Sequence, residues 1–142
     1  MTPRIPYRNK SPFGWWVASY LERLEWSNED RRNPKRRCLA WENTVLVQAP
    51  TRQSALKKAI ALGRLSSGNA VHNDKGHKGV WRFEGLTELL PVYEQLEHGA
   101  EILWQEHKGR TVATIKAMVR TRKQLNSFDD RNLRPASHKA KA

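Results

Sequence analysis

Leu39, Trp41, Asn43, Val45 and Val47 alternate along the chain with Ala40, Glu42, Thr44, Leu46 and Gln48. A period of two sends successive side chains to opposite faces of a pleated strand, so this stretch predicts a half-buried strand. Just upstream, residues 13–26 gather Trp15, Trp16, Val17, Tyr20, Leu21, Leu24 and Trp26 without helical order, which predicts a long first strand. Between the two, Ser27 to Arg37 is charged and holds Asn and Pro, the composition of an exposed hairpin connection. Pro50-Thr51 then supplies a stop and a cap, and Ala55, Leu56, Ala59, Ile60 and Leu62 form an apolar stripe ending at Gly63. These features predict a helix lying on the sheet with Arg52, Lys57, Lys58 and Arg64 on its wet side.

Residues 66–79 are rich in Gly and Asn with little to bury, and predict a mobile loop. Trp81 and Phe83 share one face of a third strand over 79–85, and Leu86 to Leu96, interrupted by Pro91, predicts a short helical crossing. Ile102, Leu103 and Trp104 predict a fourth strand over 101–107. After Gly109, the spacing of Val112, Ile115, Met118 and Val119 predicts a C-terminal helix with Lys116, Arg120 and Lys123 along another side.

The expected fold class is α+β: a four-stranded, mainly antiparallel sheet in ββαβ(α)β order with one helix on a face, a basic C-terminal helix and a disordered tail. The expected organisation is a flexible N-terminal arm over 1–12, one domain over 13–108, the basic helix over 109–128 and the tail over 129–142. The chain's 142 residues suit a single core.

Charge changes the picture more than size does. The formal net charge is +12, unevenly spread: residues 109–142 hold nine basic and two acidic side chains, whereas 88–108 hold five glutamates and one lysine. The loop run Arg31, Arg32, Lys35, Arg36, Arg37 adds a second basic cluster. Such polarity points to an anionic partner, nucleic acid or an acidic protein. No stretch is apolar for the roughly 20 residues a bilayer requires, so no membrane partner is expected. The first twelve residues hold Arg4, Arg8, Lys10 and three prolines without an apolar run, and the chain has one cysteine, Cys38; a cytoplasmic protein is the expectation.

Three constellations bear on chemistry. His72, Asp74 and His77 could in principle supply metal ligands, but a Gly/Asn-rich loop collects such residues without binding anything, and neither a metal nor any other cofactor is expected. Glu106-His107-Lys108 supplies the Glu-x-Lys half of a metal-dependent nuclease, yet the second carboxylate is missing unless Glu84 serves. No serine lies in a Gly-x-Ser-x-Gly turn, and no glycine loop runs into Lys-Ser/Thr. By contrast, phosphate contacts need only positive charge at loose spacing, which Arg31, Arg32, Lys35, Arg36, Arg37, Lys116, Arg120 and Lys123 provide.

Gly14-Trp15-Trp16-Val17-Ala18, then Ala55 to Gly63 on a helix, then Trp81-Arg82-Phe83-Glu84-Gly85-Leu86-Thr87-Glu88-Leu89 follow one another in an order that resembles a small bacterial family catalogued only as a domain of unknown function. Leu96-Glu97-His98-Gly99-Ala100-Glu101-Ile102 fits the way that family closes, so the resemblance spans 13–107. It implies a fold and carries over no site residue. Lys108 to Ala142 is a basic extension that the family pattern lacks.

The functional expectation is a non-enzymatic binding protein that contacts nucleic acid through the loop and the extension, as a small subunit of a nucleoprotein assembly. The alternative is a protein-interaction module, an immunity or accessory subunit docking on an acidic partner. A metal-dependent nuclease is the remote alternative.

Overall fold

Strand β1, Trp15–Trp26, is the spine of the sheet and is paired along both edges. The structure, a computed structural model, describes residues 4–131. β1 runs antiparallel to β2 (Ala40–Gln48) on one side and to β4 (Lys78–Pro91) on the other, and the short β3 (Ala70–His72) completes the order β2-β1-β4-β3. The fold is therefore α+β, a four-stranded antiparallel sheet with one main helix, α1 (Arg52–Arg64).

Thr51 starts α1 with a capping box: its hydroxyl accepts from the Ser54 N–H at 3.2 Å, and the Thr51 N–H donates to Ser54 Oγ at 3.3 Å. Such reciprocal bonds satisfy amides that the first turn cannot pair internally. The buried positions are Ala55, Ala59 and Gly63, one every fourth residue. This small-residue row lets the helix lie close on Trp16, Ala18, Val47 and Ala49, with Val45, Leu86 and Leu89 packed around them. Leu56 and Leu62 of the expected stripe are instead exposed at 44% and 37%, because the sheet is approached by alanines rather than leucines.

Several sequence-based expectations are corrected. The helical crossing expected over 86–96 is absent, since β4 continues to Pro91. Pro91 is tolerated as the last residue of the strand. The strand passes the glycine at 85, whose φ of 150° suits only glycine, where the pairing with β1 shifts register between Ser19 and Tyr20 and between Leu21 and Glu22. The expected loop at 66–79 contains β3 and its tight hairpin to β4, in which Asn73 Oδ1 accepts from the Lys75 and His77 N–H groups at 3.0 and 2.9 Å.

The strand expected over 101–107 does not form, and Ile102, Leu103 and Trp104 are 48, 52 and 57% exposed. In place of one helix over 109–128 there is a six-residue helix α2 (Val112–Ala117), followed by 3-10 turns at Arg122–Gln124 and Asn126–Phe128. Within the arm expected over 1–12, the described residues make these contacts: Ser11 Oγ donates to the Trp15 carbonyl at 2.6 Å, Tyr7 stacks on Tyr93, and the Tyr93 hydroxyl donates to the Arg8 carbonyl. From Asn132 onward, the tail expected over 129–142 lies outside the described residues. The described residues divide into two compact units, one ending at Trp104 and one beginning at Gln105. No described helix is long and apolar enough to cross a membrane.

Candidate functional site

The hairpin loop between β1 and β2 is folded by its own polar residues. Asp30 Oδ1 accepts from the Arg32 N–H at 3.1 Å, and Asn33 Oδ1 accepts from the Lys35 N–H at 3.0 Å; these Asx turns fix two successive bends. Arg36 lies inside the loop, where its guanidinium pairs with Glu29 and donates to the carbonyls of Arg31 at 3.3 Å and Asn33 at 2.9 Å. Burial of Glu29 alone would raise its pKa, but the bonds from the Arg36 guanidinium and the Trp26 N–H outweigh it and hold the carboxyl below its ordinary value.

Arg31 is drawn onto the sheet, where its Nε lies 3.1 Å from Glu25. Glu25 also takes Arg23 at 3.2 Å, with Arg82 at 3.9 Å, and Arg23 Nε reaches Glu84 at 3.0 Å. Burial would lower the Arg23 pKa, yet its hydrogen bonds to Glu84 and Glu25 prevail and raise it. Two of the five loop cations are thus spent on the fold. Arg32, Lys35 and Arg37 are exposed and make no ion pair among the described residues.

In the second unit Thr111 caps α2 by accepting from the Thr114 N–H at 3.1 Å, and the helix is finished at Met118. Of the expected helical stripe only Lys116 is on the helix; Arg120 follows it and Lys123 sits in a 3-10 turn. The turn brings Arg120 and Lys123 together with Arg131 in the lining of an open, mainly polar cleft of about 670 Å³, in which Asp129 is the one acid among the described residues. Asp129 is engaged by Arg131 at 3.3 Å. Nearby, the Arg122 guanidinium lies 4.7 Å from the centroid of the half-exposed Phe128 ring. The loop cations belong to the first unit and these to the second.

One group escaped the sequence reading. Glu22, only 1% exposed, is the largest fully buried side chain among the described residues. Asn43 Nδ2 donates to its Oε1 at 3.0 Å and Ser66 Oγ to its Oε2 at 2.8 Å. In register it lies between Trp41 and Phe83 on the helix face of the sheet, beyond the end of α1, where Trp41 also meets Trp81 at 5.5 Å. The signal was available: the alternation that buries Trp16, Ala18, Tyr20 and Leu24 puts Glu22 on the same side. Bonded to a strand and to the chain leaving α1, this carboxyl pins the helix end to the sheet.

As for metal chemistry, no group of three or more His, Cys, Asp or Glu is placed to hold an ion among the described residues. Glu106 pairs with Lys108 at 3.5 Å in an irregular segment, and Glu84 is held by Arg23. No curated protein and no solved structure matches the chain. The profile of an uncharacterised family, however, matches residues 15–104, which spans the sheet and α1 and stops short of the basic extension. On that match the chain belongs to the family described as Domain of unknown function (DUF4288).

Proposed function

We propose that this protein is a non-enzymatic nucleic-acid-binding protein, gripping the phosphate backbone through the extension and through the hairpin loop. The observation that carries the reading is the cleft in which Arg120, Lys123 and Arg131 converge on one open space with a single acidic neighbour. Phosphodiesters ask for cations at loose spacing rather than a fixed geometry, so the exposed Arg32, Lys35 and Arg37 add to binding without a set relation to the cleft. Phe128, half exposed beside Arg122, offers a ring on which an unpaired base can stack. A cytoplasmic setting suits this role and suits the free, exposed Cys38.

A second reading has its own observation. Val112, Ile115, Met118 and Val119 are 71, 41, 44 and 77% exposed, and aliphatic side chains gain little from a hydrated phosphate backbone. An acidic protein with an apolar patch would cover them while matching the surrounding cations.

Titration of the full chain with labelled single-stranded DNA and RNA across a salt series tests the first reading. Affinity should fall linearly on a double logarithmic plot, and no binding at low salt sinks the reading. A single acidic protein retained from the native cell by the full chain, with no nucleic acid bound, would support the second.

A further inference from the structure

β2 is the outermost strand of the sheet, and no strand pairs with its far side among the described residues. Its backbone groups are not all engaged by β1. The Leu24 N–H donates to the Leu39 carbonyl at 2.9 Å and the Ala49 N–H to the Gly14 carbonyl at 2.8 Å, which fixes the odd-numbered residues as those bonded to β1. The N–H and C=O groups of Ala40, Glu42, Thr44 and Leu46 therefore point away from the sheet.

Natural sheets usually spoil such an edge with proline, a bulge or repeated charge. β2 has no proline, keeps unbroken register with β1 over its whole length, and carries one charge, Glu42. At about 3.3 Å per residue it presents nearly 30 Å of open ladder.

Beside this edge runs an apolar groove of about 290 Å³ lined by Leu46, Val47, Ala61, Leu62 and Leu65, with Lys58 at its rim. Leu46 and Leu65 are 43 and 76% exposed there. The Lys58 ammonium donates to the Gln48 carbonyl at 2.7 Å, which anchors its positive charge at the end of the open ladder. Over its thirteen residues α1 carries Arg52, Lys57, Lys58 and Arg64 and no acid.

We infer that the outer edge of β2 is a docking site for an extended acidic segment of a partner protein, which adds to the sheet as a fifth strand. Backbone pairing to Ala40, Glu42, Thr44 and Leu46 supplies affinity, and the alternate side chains supply selection. Those on the α1 side meet Lys58 and the apolar groove, and so favour carboxylates interspersed with an aliphatic residue. Those on the other side run past Glu42 and Thr44, where a carboxylate is disfavoured. A second copy of this chain fits poorly, because pairing two β2 edges antiparallel about a two-fold axis would bring two acid-free α1 helices onto the same face. This surface lies within residues 15–104 and uses none of the extension cations Arg120, Lys123 and Arg131 proposed for nucleic acid.

The test uses the full chain and two fluorescein-labelled eight-residue peptides, one reading Glu-Thr-Val-Thr-Glu-Thr-Val-Thr, which puts Glu and Val together on one face, and the other with Lys in place of each Glu. Anisotropy should rise with the Glu peptide and not with the Lys peptide, and amide exchange at Glu42, Thr44 and Leu46 should slow on binding. Thr44→Pro removes an outward N–H and the hydroxyl bond to Ser19 Oγ at 2.8 Å but no backbone bond to β1, so it should abolish binding while circular dichroism is kept. Lys58→Glu, on the exposed helix surface, should weaken binding by about tenfold and carries the test if the proline variant does not fold.

Equal binding of both peptides, no binding of either, or full binding by a folded Thr44→Pro chain each overturns the inference, as does self-association abolished by Thr44→Pro. The triple variant Arg120→Ala, Lys123→Ala, Arg131→Ala should keep its peptide affinity, which separates failure here from failure of the nucleic-acid reading.

Discussion

Gly63 lies so close beneath Phe83 that a Cβ placed on it would fall 2.3 Å from the ring's Cε1 atom. The last buried position of α1 therefore has to be glycine, and the contact sets how near the helix end comes to β4. Gly63→Ala gains about 1 kcal/mol of helix propensity but forces the ring aside, an overpacking cost of about 1–3 kcal/mol. The expected net result is a loss of about 1 kcal/mol in urea denaturation. In a Phe83→Leu background the same change should be neutral or stabilising, and a stabilised Gly63→Ala single variant would contradict the packing described.

Glu22 provides a second test in the same region. Glu22→Ala leaves the Asn43 amide and the Ser66 hydroxyl without their acceptor and opens a buried space beside Trp41. The expected cost is about 3 kcal/mol, whereas Ser66→Ala, which removes one neutral donor, should cost about 1 kcal/mol. If the carboxyl is structural, both variants lose stability with no change in peptide or nucleic-acid binding. Unchanged denaturation midpoints in both would show that Glu22 does not pin the helix end.

The elements legible in the sequence are those whose period or cap is local. The alternation over residues 39–48 marked β2, and Thr51 with its downstream apolar positions marked α1. What failed was set by distant pairing. Leu86, Leu89 and Leu90 have helix-like spacing, yet β1 is long enough to pair with them and extends β4 past Gly85. Ile102, Leu103 and Trp104 look like a strand, but they pair with no strand and instead line a small pocket with Leu90 and Pro91 at the end of β4. β3 has three residues, too few for any period to register. In the candidate site, Arg36 read like its neighbours because nothing local distinguishes a cation that folds inward from one that faces water. Likewise the cleft joining Arg120 to Lys123 comes from a helix that stops at Met118, which the apolar spacing through Val119 concealed.

The Arg36 and Glu29 pair makes the hairpin loop sensitive to acid. Because the folded-state pKa of Glu29 is lowered, its contribution is fully present above the unfolded carboxylate value of about 4.3 and is lost as pH falls through the lower folded value. Protection of the amides over residues 29–37, measured as the exchange rate relative to the intrinsic rate at each pH, should therefore be high at pH 6 and fall at pH values under the usual glutamate range. Glu29→Gln should show the lower loop protection at every pH, with the acid-dependent step removed. An identical pH profile in the variant would mean that another group governs the loop.

The two basic surfaces are separable by their salt dependence. Each phosphate contact contributes about 0.7–0.9 to the slope of log affinity against log salt, so removing three cations that all touch phosphate should lower the slope by about 2–3. The triple variant Arg120→Ala, Lys123→Ala, Arg131→Ala should show most of this drop if the cleft holds the backbone, with Arg131 contributing the smallest share because Asp129 already engages it. Arg32→Ala, Lys35→Ala, Arg37→Ala should show a comparable drop if the loop tip does. Arg31→Ala should change the slope less than any loop-tip substitution, since Glu25 already neutralises that guanidinium. These are exposed positions, so the melting temperature should stay unchanged and the loss is read as binding alone. A slope that stays constant in both triple variants would show that none of these side chains meets a phosphate, and the acidic-protein reading would then take precedence.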